Sequence, residues 1–234
     1  MNINFKNKTI LITGASSGIG LTLYKRFKKL GGQVIGTQKS KKIKDLIYVD
    51  LSSEEALKNF FLKIKKIKKI DILINNAGSN IINDITSNRD QDIDEIISTN
   101  LIAPLKIIRE VAKKMKKNKY GRIVNISSIF GHISKKKRSL YSSTKFGING
   151  ITKASALDLA EYNILVNSVS PGFVLTSLTK KILGKEIKKI ESKIPIKRIA
   201  NTDEIVNLVL FLSSNYNSYI TGENIIIDGG FTTQ

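Results

Sequence analysis

Thr9–Gly20, TILITGASSGIG, is the stretch on which the fold turns. Thr9–Thr13 is a short apolar run of the kind found in strands buried on both faces. A turn with three glycines follows, Gly14-Ala15-Ser16-Ser17-Gly18-Ile19-Gly20. From about Ile19 to Leu30 a helix is expected, with Leu23, Phe27 and Leu30 on one side. Strand, glycine turn and helix together make a phosphate cradle. The glycines let a pyrophosphate approach the backbone, and the helix N-terminus offers free N–H groups and the positive end of its dipole. The spacing is G-x-x-x-G-x-G, a variant of the commoner G-x-G-x-x-G.

Outward from this unit the pattern repeats. Further strands are expected at Gln33–Thr37, Leu46–Asp50, Asp71–Asn75, Gly121–Ile126, Ile164–Val169 and Ile225–Asp228. Helices are expected at Ser53–Lys69, at Ile93–Lys117 with a bend near Pro104, at Tyr141–Glu161, at Lys180–Lys193 and at Thr202–Ser213, the last capped by Thr202. Only a short basic connection, Lys41–Asp45, joins the second and third strands. The class is α/β: one Rossmann-type domain over residues 1–234, a doubly wound parallel sheet of about seven strands with helices on both faces. A small substrate lid is expected around 176–198.

An acid at the end of strand two would hold a ribose 2′-hydroxyl and select NAD. Gly36-Thr37-Gln38-Lys39-Ser40 has none. Hydroxyls and a lysine suit a 2′-phosphate, so NADP(H) is favoured over NAD(H), with Thr37 and Lys39 as its readers. Asp50 falls at the sheet edge where adenine lies in such folds. Asn76-Ala77-Gly78, after strand four, is a second small-residue turn that admits a ligand. Asn100 is an amide in an apolar stretch and needs partners.

The net charge is +20, with Lys outnumbering Arg 33 to 6. The lysines are spread over most helices and arginine, the usual base reader, is scarce. A solvated lysine coat is the preferred reading, with no specific nucleic-acid partner. The chain has no cysteine. Disulfides, thiolate catalysis and a cysteine zinc site are excluded, no metal site is expected, and a cytoplasmic location fits. No run of about 18 apolar residues suggests membrane insertion.

Ser128 precedes Tyr141, and Lys145 follows one helical turn later. A phenol and an ammonium four residues apart share a helix face. A nearby cation lowers a phenol's pKa, and such a phenol can exchange a proton with a carbonyl oxygen. Taken alone, the spacing also suits a helix start with an ordinary surface lysine. His132 is a lone loop histidine, and Lys135–Arg138 (KKKR) is either an anion grip or a solvated loop.

Thr13–Gly20 (TGASSGIG), Asn75–Gly78 (NNAG), Asn100, Ser128, Tyr141-x-x-x-Lys145 and Pro171-Gly172 with Thr176 stand in one order over nearly the whole chain. In this the chain resembles the short-chain dehydrogenase/reductase family. The resemblance implies that Tyr141 is the general acid of reduction and that Lys145 tunes it and holds the nicotinamide ribose. Ser128 then binds the substrate carbonyl, and Asn100 holds a water that links Lys145 to solvent. It further implies that Gly14, Ser16, Ser17, Gly18, Ile19 and Gly20 surround the pyrophosphate. Asp50 and Leu51 frame the adenine, Asn76, Ala77 and Gly78 line the ribose side, and Pro171, Gly172, Val174 and Thr176 meet the nicotinamide end.

Within the family, Pro171–Thr179 and Pro195–Gly230 look most like the 3-oxoacyl-[acyl-carrier-protein] reductases of fatty acid synthesis. That implies a carrier-bound acyl substrate, a homotetramer, and Arg122 facing an acidic carrier protein. The sequence departs from that group at Ser17, often arginine in NADP-dependent members, at Tyr162, and in the polar segment Asn80–Asp90. A reductase or dehydrogenase of a sugar, polyol or other small alcohol is the alternative. A non-catalytic dinucleotide-binding protein is more remote, given the intact Asn100, Ser128, Tyr141 and Lys145.

Overall fold

Residues alternate across the first strand, β1 (Thr9–Ile12): Ile10 and Ile12 pack on one side and Leu11 on the other, all without solvent exposure. The strand β4 (Ile72–Asn75) does the same, with Ile72 and Ile74 against Leu73. Strands buried on both faces need cover on both. One face is covered by α1 (Gly18–Lys29) through Leu23 and Phe27, and by α7 (Thr202–Ser213) through Ile205, Val206 and Val209. The other face is covered by α2 (Glu54–Lys66), α4 (Ala103–Asn118) and α5 (Ser139–Leu159).

The computed structural model describes residues 2–40, 43–177, 179 and 184–233, leaving aside the side chain of Lys185. The remaining strands are β2 (Gln33–Gln38), β3 (Leu46–Tyr48), β5 (Gly121–Ile126), β6 (Ile164–Pro171) and β7 (Asn224–Ile227). They form one parallel sheet of seven strands in the order β3-β2-β1-β4-β5-β6-β7. The chain runs outward from β1 to β3, then restarts beside β1 with β4. That reversal opens a crevice at the C-terminal strand ends.

Three local expectations change. The bend expected near Pro104 is a π turn, Ser98–Ile102, between α3 (Asp90–Ile97) and α4. The Ala103 N–H reaches back five residues to the Ser98 carbonyl. Pro104 has no N–H, so the Asn100 carbonyl gets no donor from the residue four ahead. The cap of α7 is Asn201 and not Thr202. Its side chain accepts the Glu204 N–H, and Glu204 returns the bond to the Asn201 N–H, a capping box. The segment after Thr179 holds a 3-10 turn at Gly184–Glu186 and a short helix, α6 (Ile187–Glu191). Residues 41–42 of the basic connection, and 178 and 180–183 of the expected lid, lie outside the described residues.

Candidate active site

The two small-residue turns are laced together at the crevice. The Thr13 hydroxyl oxygen accepts the N–H groups of Asn76 and Ala77, each at 3.0 Å. The Asn76 amide donates to the Thr13 and Gly14 carbonyls, at 3.0 and 3.1 Å. Gly14 has φ +68°, and a Cβ there would lie 2.9 Å from the Ala77 Cα. At Gly20 a Cβ would lie 2.1 Å from the Gly14 carbonyl oxygen. Neither position admits another residue without moving backbone. Ser17 caps α1 with no side-chain hydrogen bond of its own. The first N–H groups of α1 are thus left for a ligand, at the positive end of the helix dipole.

Two cavities flank this turn. One, of about 220 Å³, runs from Gly14, Ser16 and Ser17 past Thr37, Lys39 and Leu51 to Ala77 and Glu95. The other, of about 280 Å³, runs from Gly18 and Ile19 to Ser128, Tyr141 and Lys145, with Pro171, Gly172, Val174 and Thr176 opposite. They share Ser17, Asn76, Gly78 and Ser79. Ser79 and Thr99 in the wall of the first cavity, and Asn80 and Arg138 in that of the second, add polar side chains to the lining. The pinched cleft and the free helix N-terminus fit a dinucleotide, with a second molecule beside it.

The chemistry-bearing groups sit in the larger cavity. Strand β5 carries Ser127 and Ser128 to the sheet edge. Ser128 Oγ accepts the Phe130 N–H at 3.2 Å, which leaves its own proton to give. Tyr141 is partly exposed and stands edge-to-face with Phe130, ring centres 6.3 Å apart. Burial raises the Tyr141 pKa above the ordinary phenol value, while Ser128 and Arg138 pull it back in part. Lys145 is 4% exposed and donates to the Ile126 carbonyl at 2.8 Å. Burial pushes its pKa down to about 8. The Tyr141 pKa thus moves against the expected direction: burial outweighs the neighbouring groups that favour the phenolate. The same desolvation weakens the Lys145 ammonium, which main chain holds in place.

A family model described as enoyl-(acyl carrier protein) reductase matches residues 14–232. The 3-oxoacyl-[acyl-carrier-protein] reductase FabG of Buchnera aphidicola subsp. Schizaphis graminum is 38% identical over 240 residues, 97% of this chain and 98% of that one. The chain belongs to the short-chain dehydrogenase/reductase family. Among solved structures of similar proteins, 4-hydroxyisoleucine dehydrogenase complexed with NADH is 34% identical, with TM-score 0.91, covering 97% of this chain and 100% of that one. ElxO with NADP bound is 30% identical, with TM-score 0.87, covering 97% and 99%.

In this short-chain dehydrogenase/reductase several of the expected ligand residues also brace the site. Thr37 is 1% exposed, and its hydroxyl oxygen accepts the Gly14 N–H at 3.2 Å. The Asn76 side chain is spent on the glycine turn, and Gly20 stands behind that turn. Asp50 accepts from Ser52 N and Oγ at 2.9 and 2.6 Å, while its neighbours Val49 and Leu51 line the cavity. Lys39 is at the rim as expected, but between Glu95 at 3.0 Å and Asp50 at 3.2 Å. The Asn100 amide is engaged at both ends: it donates to the Ser79 carbonyl and accepts the Ser79 N–H, each at 2.9 Å. A Cβ on Gly78 would be 3.4 Å from Asn100 Oδ1 and 3.8 Å from Lys145 Nζ, so these three converge.

One expectation fails. Arg122 is 4% exposed and donates to the Gly121 and Asn163 carbonyls, at 2.8 and 3.2 Å, so it cannot meet a carrier protein. The lone loop histidine, His132, pairs with Asn224 at 2.7 Å and lines neither cavity. The sequence reading left Glu95 unmarked and Arg138 undecided. Glu95 gave no signal. Arg138, the one arginine of a lysine run, stands three residues before Tyr141, a spacing that shares a helix face. Among the described residues no three potential metal ligands converge, and no helix is long and apolar enough to cross a membrane.

Proposed function

We propose that the protein reduces a 3-oxoacyl thioester to the 3-hydroxyacyl thioester with NADPH, the acyl group borne by acyl carrier protein. One observation carries the reading: Ser128 and Tyr141 open on the same cavity as Gly18 and Asn76 of the dinucleotide cleft. The extended match to a named 3-oxoacyl reductase supports the substrate.

The residues account for the proton chemistry. The raised Tyr141 pKa keeps the phenol protonated at neutral pH, in the form an acid needs. Its O–H and the Ser128 O–H line one cavity, where a substrate carbonyl oxygen would meet both. When bound, NADPH supplies the hydride. As negative charge grows on the carbonyl oxygen, both donors strengthen against it, and Tyr141 gives up its proton. The buried Lys145 ammonium stabilises the phenolate that results. Asn100 holds the Ser79 main chain in place, and its own carbonyl, deprived of the Pro104 donor, is the point for a water that returns the proton.

Gly14–Gly20 would seat the pyrophosphate, and Lys39 the 2′-phosphate. With Arg122 buried, the exposed Lys135 and Lys136, in the same run as the cavity-lining Arg138, are basic groups that would steer an acidic carrier. The described stretch 184–198 of the expected lid packs through Ile190 and Ile194 against Ile199, Phe173 and Phe231. Exposed Leu105 on α4, and Phe146 and Leu157 on α5, favour a homotetramer joined through those helices.

The test is NADPH oxidation with acetoacetyl-CoA against a panel of keto-sugars. Turnover of the thioester is expected, and its absence overturns the reading. The polar residues Ser79 and Asn80 in the cavity wall favour a second reading, a polar substrate such as a keto-sugar or polyol, which turnover of the panel alone would support.

A further inference from the structure

Arg138 holds a charge that the protein does not answer. It is the residue preceding α5, and its guanidinium lies 5.5 Å from the Phe130 ring centre. Nη1 is buried and has no hydrogen-bond partner. The neighbouring Lys137 has Asp84 at 3.5 Å, but no carboxylate pairs with Arg138 among the described residues. Nη1 lies beneath the surface, so a ligand meets the other guanidinium nitrogens, and a partly desolvated cation without a counter-charge favours an anion there. The side chain lines the same cavity as Ser128 and Tyr141. Its charge is also felt at the Tyr141 oxygen. Phe130 lies between the two, its face toward Arg138 and its edge-to-face contact toward Tyr141.

We propose that Arg138 reads the substrate's carboxyl end, and that the protein also reduces free 3-oxo carboxylates. The inference rests on the reading above in one respect, that the ketone sits on Ser128 and Tyr141. In a 3-oxoacyl compound the C1 oxygen lies two carbons from that ketone. A thioester offers Arg138 a single neutral acceptor. A carboxylate offers two charged oxygens to a planar fork, the stronger match. The reaction is the same: hydride to C3, the Tyr141 proton to its oxygen, and a 3-hydroxy carboxylate released.

The test measures kcat/KM for NADPH oxidation with acetoacetate, its N-acetylcysteamine thioester and neutral pentane-2,4-dione. Wild type, Arg138→Lys and Arg138→Gln are compared. Wild type is expected to reduce acetoacetate. Arg138→Gln should lose about 100-fold on acetoacetate and no more than about fivefold on the diketone. Arg138→Lys, which keeps the charge and loses the fork, should fall between and decides the matter if the glutamine variant does not fold. Failure of wild type to reduce acetoacetate overturns the proposal. So does an equal loss on all three substrates, which would mark Arg138 as a packing residue. Turnover of acetoacetate without the thioester would sustain Arg138 and overturn the thioester reading.

Discussion

The Lys145 ammonium is bonded to the Ile126 carbonyl at 2.8 Å, while the Tyr141 ring centre lies 5.5 Å away. The lysine is thus anchored to strand β5. Its pKa falls from 10.5 to about 8 because it is buried. The sign for stability follows. Below pH 8 both folded and unfolded states carry the proton, and the folded state bears the full desolvation penalty. Between about 8 and 10.5 the folded state sheds the proton first, and the penalty fades. Lys145→Met removes it at neutral pH. That variant should melt higher, by on the order of 1 kcal/mol, with turnover abolished. A thermal melt at pH 7 that shows a lower Tm would contradict this account.

Tyr141→Phe keeps the ring and its contact with Phe130, so the fold should stand. It removes the one acidic proton on the carbonyl. Turnover should drop by about 10²–10⁴-fold with NADPH affinity unchanged, read by fluorescence titration. Ser128→Ala removes the second donor and should cost about 10²-fold in kcat. Wild-type activity in Tyr141→Phe would reject the acid assignment.

How far the sequence carried the reading depended on range. The β1–turn–α1 unit is local, so its apolar run and glycines sufficed. The braces are not local. Thr37 and Gly14 are 23 residues apart, and nothing in either stretch says that the threonine oxygen takes the glycine N–H. Arg122 looked available because a strand buried on both faces shows no alternation to mark its inward positions. The π turn at Ser98–Ile102 adds one residue to a helical pattern, too small a phase slip for apolar periodicity to reveal. The capping box was legible, since Glu204 lies three residues after Asn201, but Thr202 competed for the same role.

Gly20→Ala tests the cradle. The new methyl carbon would stand 2.1 Å from the Gly14 carbonyl oxygen and 2.5 Å from Asn76 Nδ2. The first of these is backbone and cannot swing aside. Relief requires the glycine turn to shift away from Asn76. The expected result is a loss of at least about 2 kcal/mol of stability and of NADPH binding together, by denaturant melt and titration. Gly150→Ala, exposed inside α5 where a Cβ meets nothing within 4 Å, is the control: NADPH binding should be unchanged and stability should rise by up to about 1 kcal/mol, the gain of alanine over glycine in a helix.

Cofactor choice turns on the Lys39 ammonium, which two carboxylates already hold. Burial works to lower its pKa, but Glu95 and Asp50 outweigh it and raise the value. A 2′-phosphate arriving at this rim would therefore compete with Glu95 for the lysine. Glu95→Gln removes the competitor and should tighten NADPH about threefold at low salt, with the gain shrinking as salt is added. Lys39→Ala removes the cation and should weaken NADPH about tenfold while leaving NADH within about twofold. Both are read as Kd by cofactor fluorescence in the wild-type background. If Lys39→Ala leaves NADPH binding unchanged, the ammonium serves Glu95 and Asp50 alone, joining α3 to the strand ends. The choice of dinucleotide would then rest on the main chain of Gln38–Ser40.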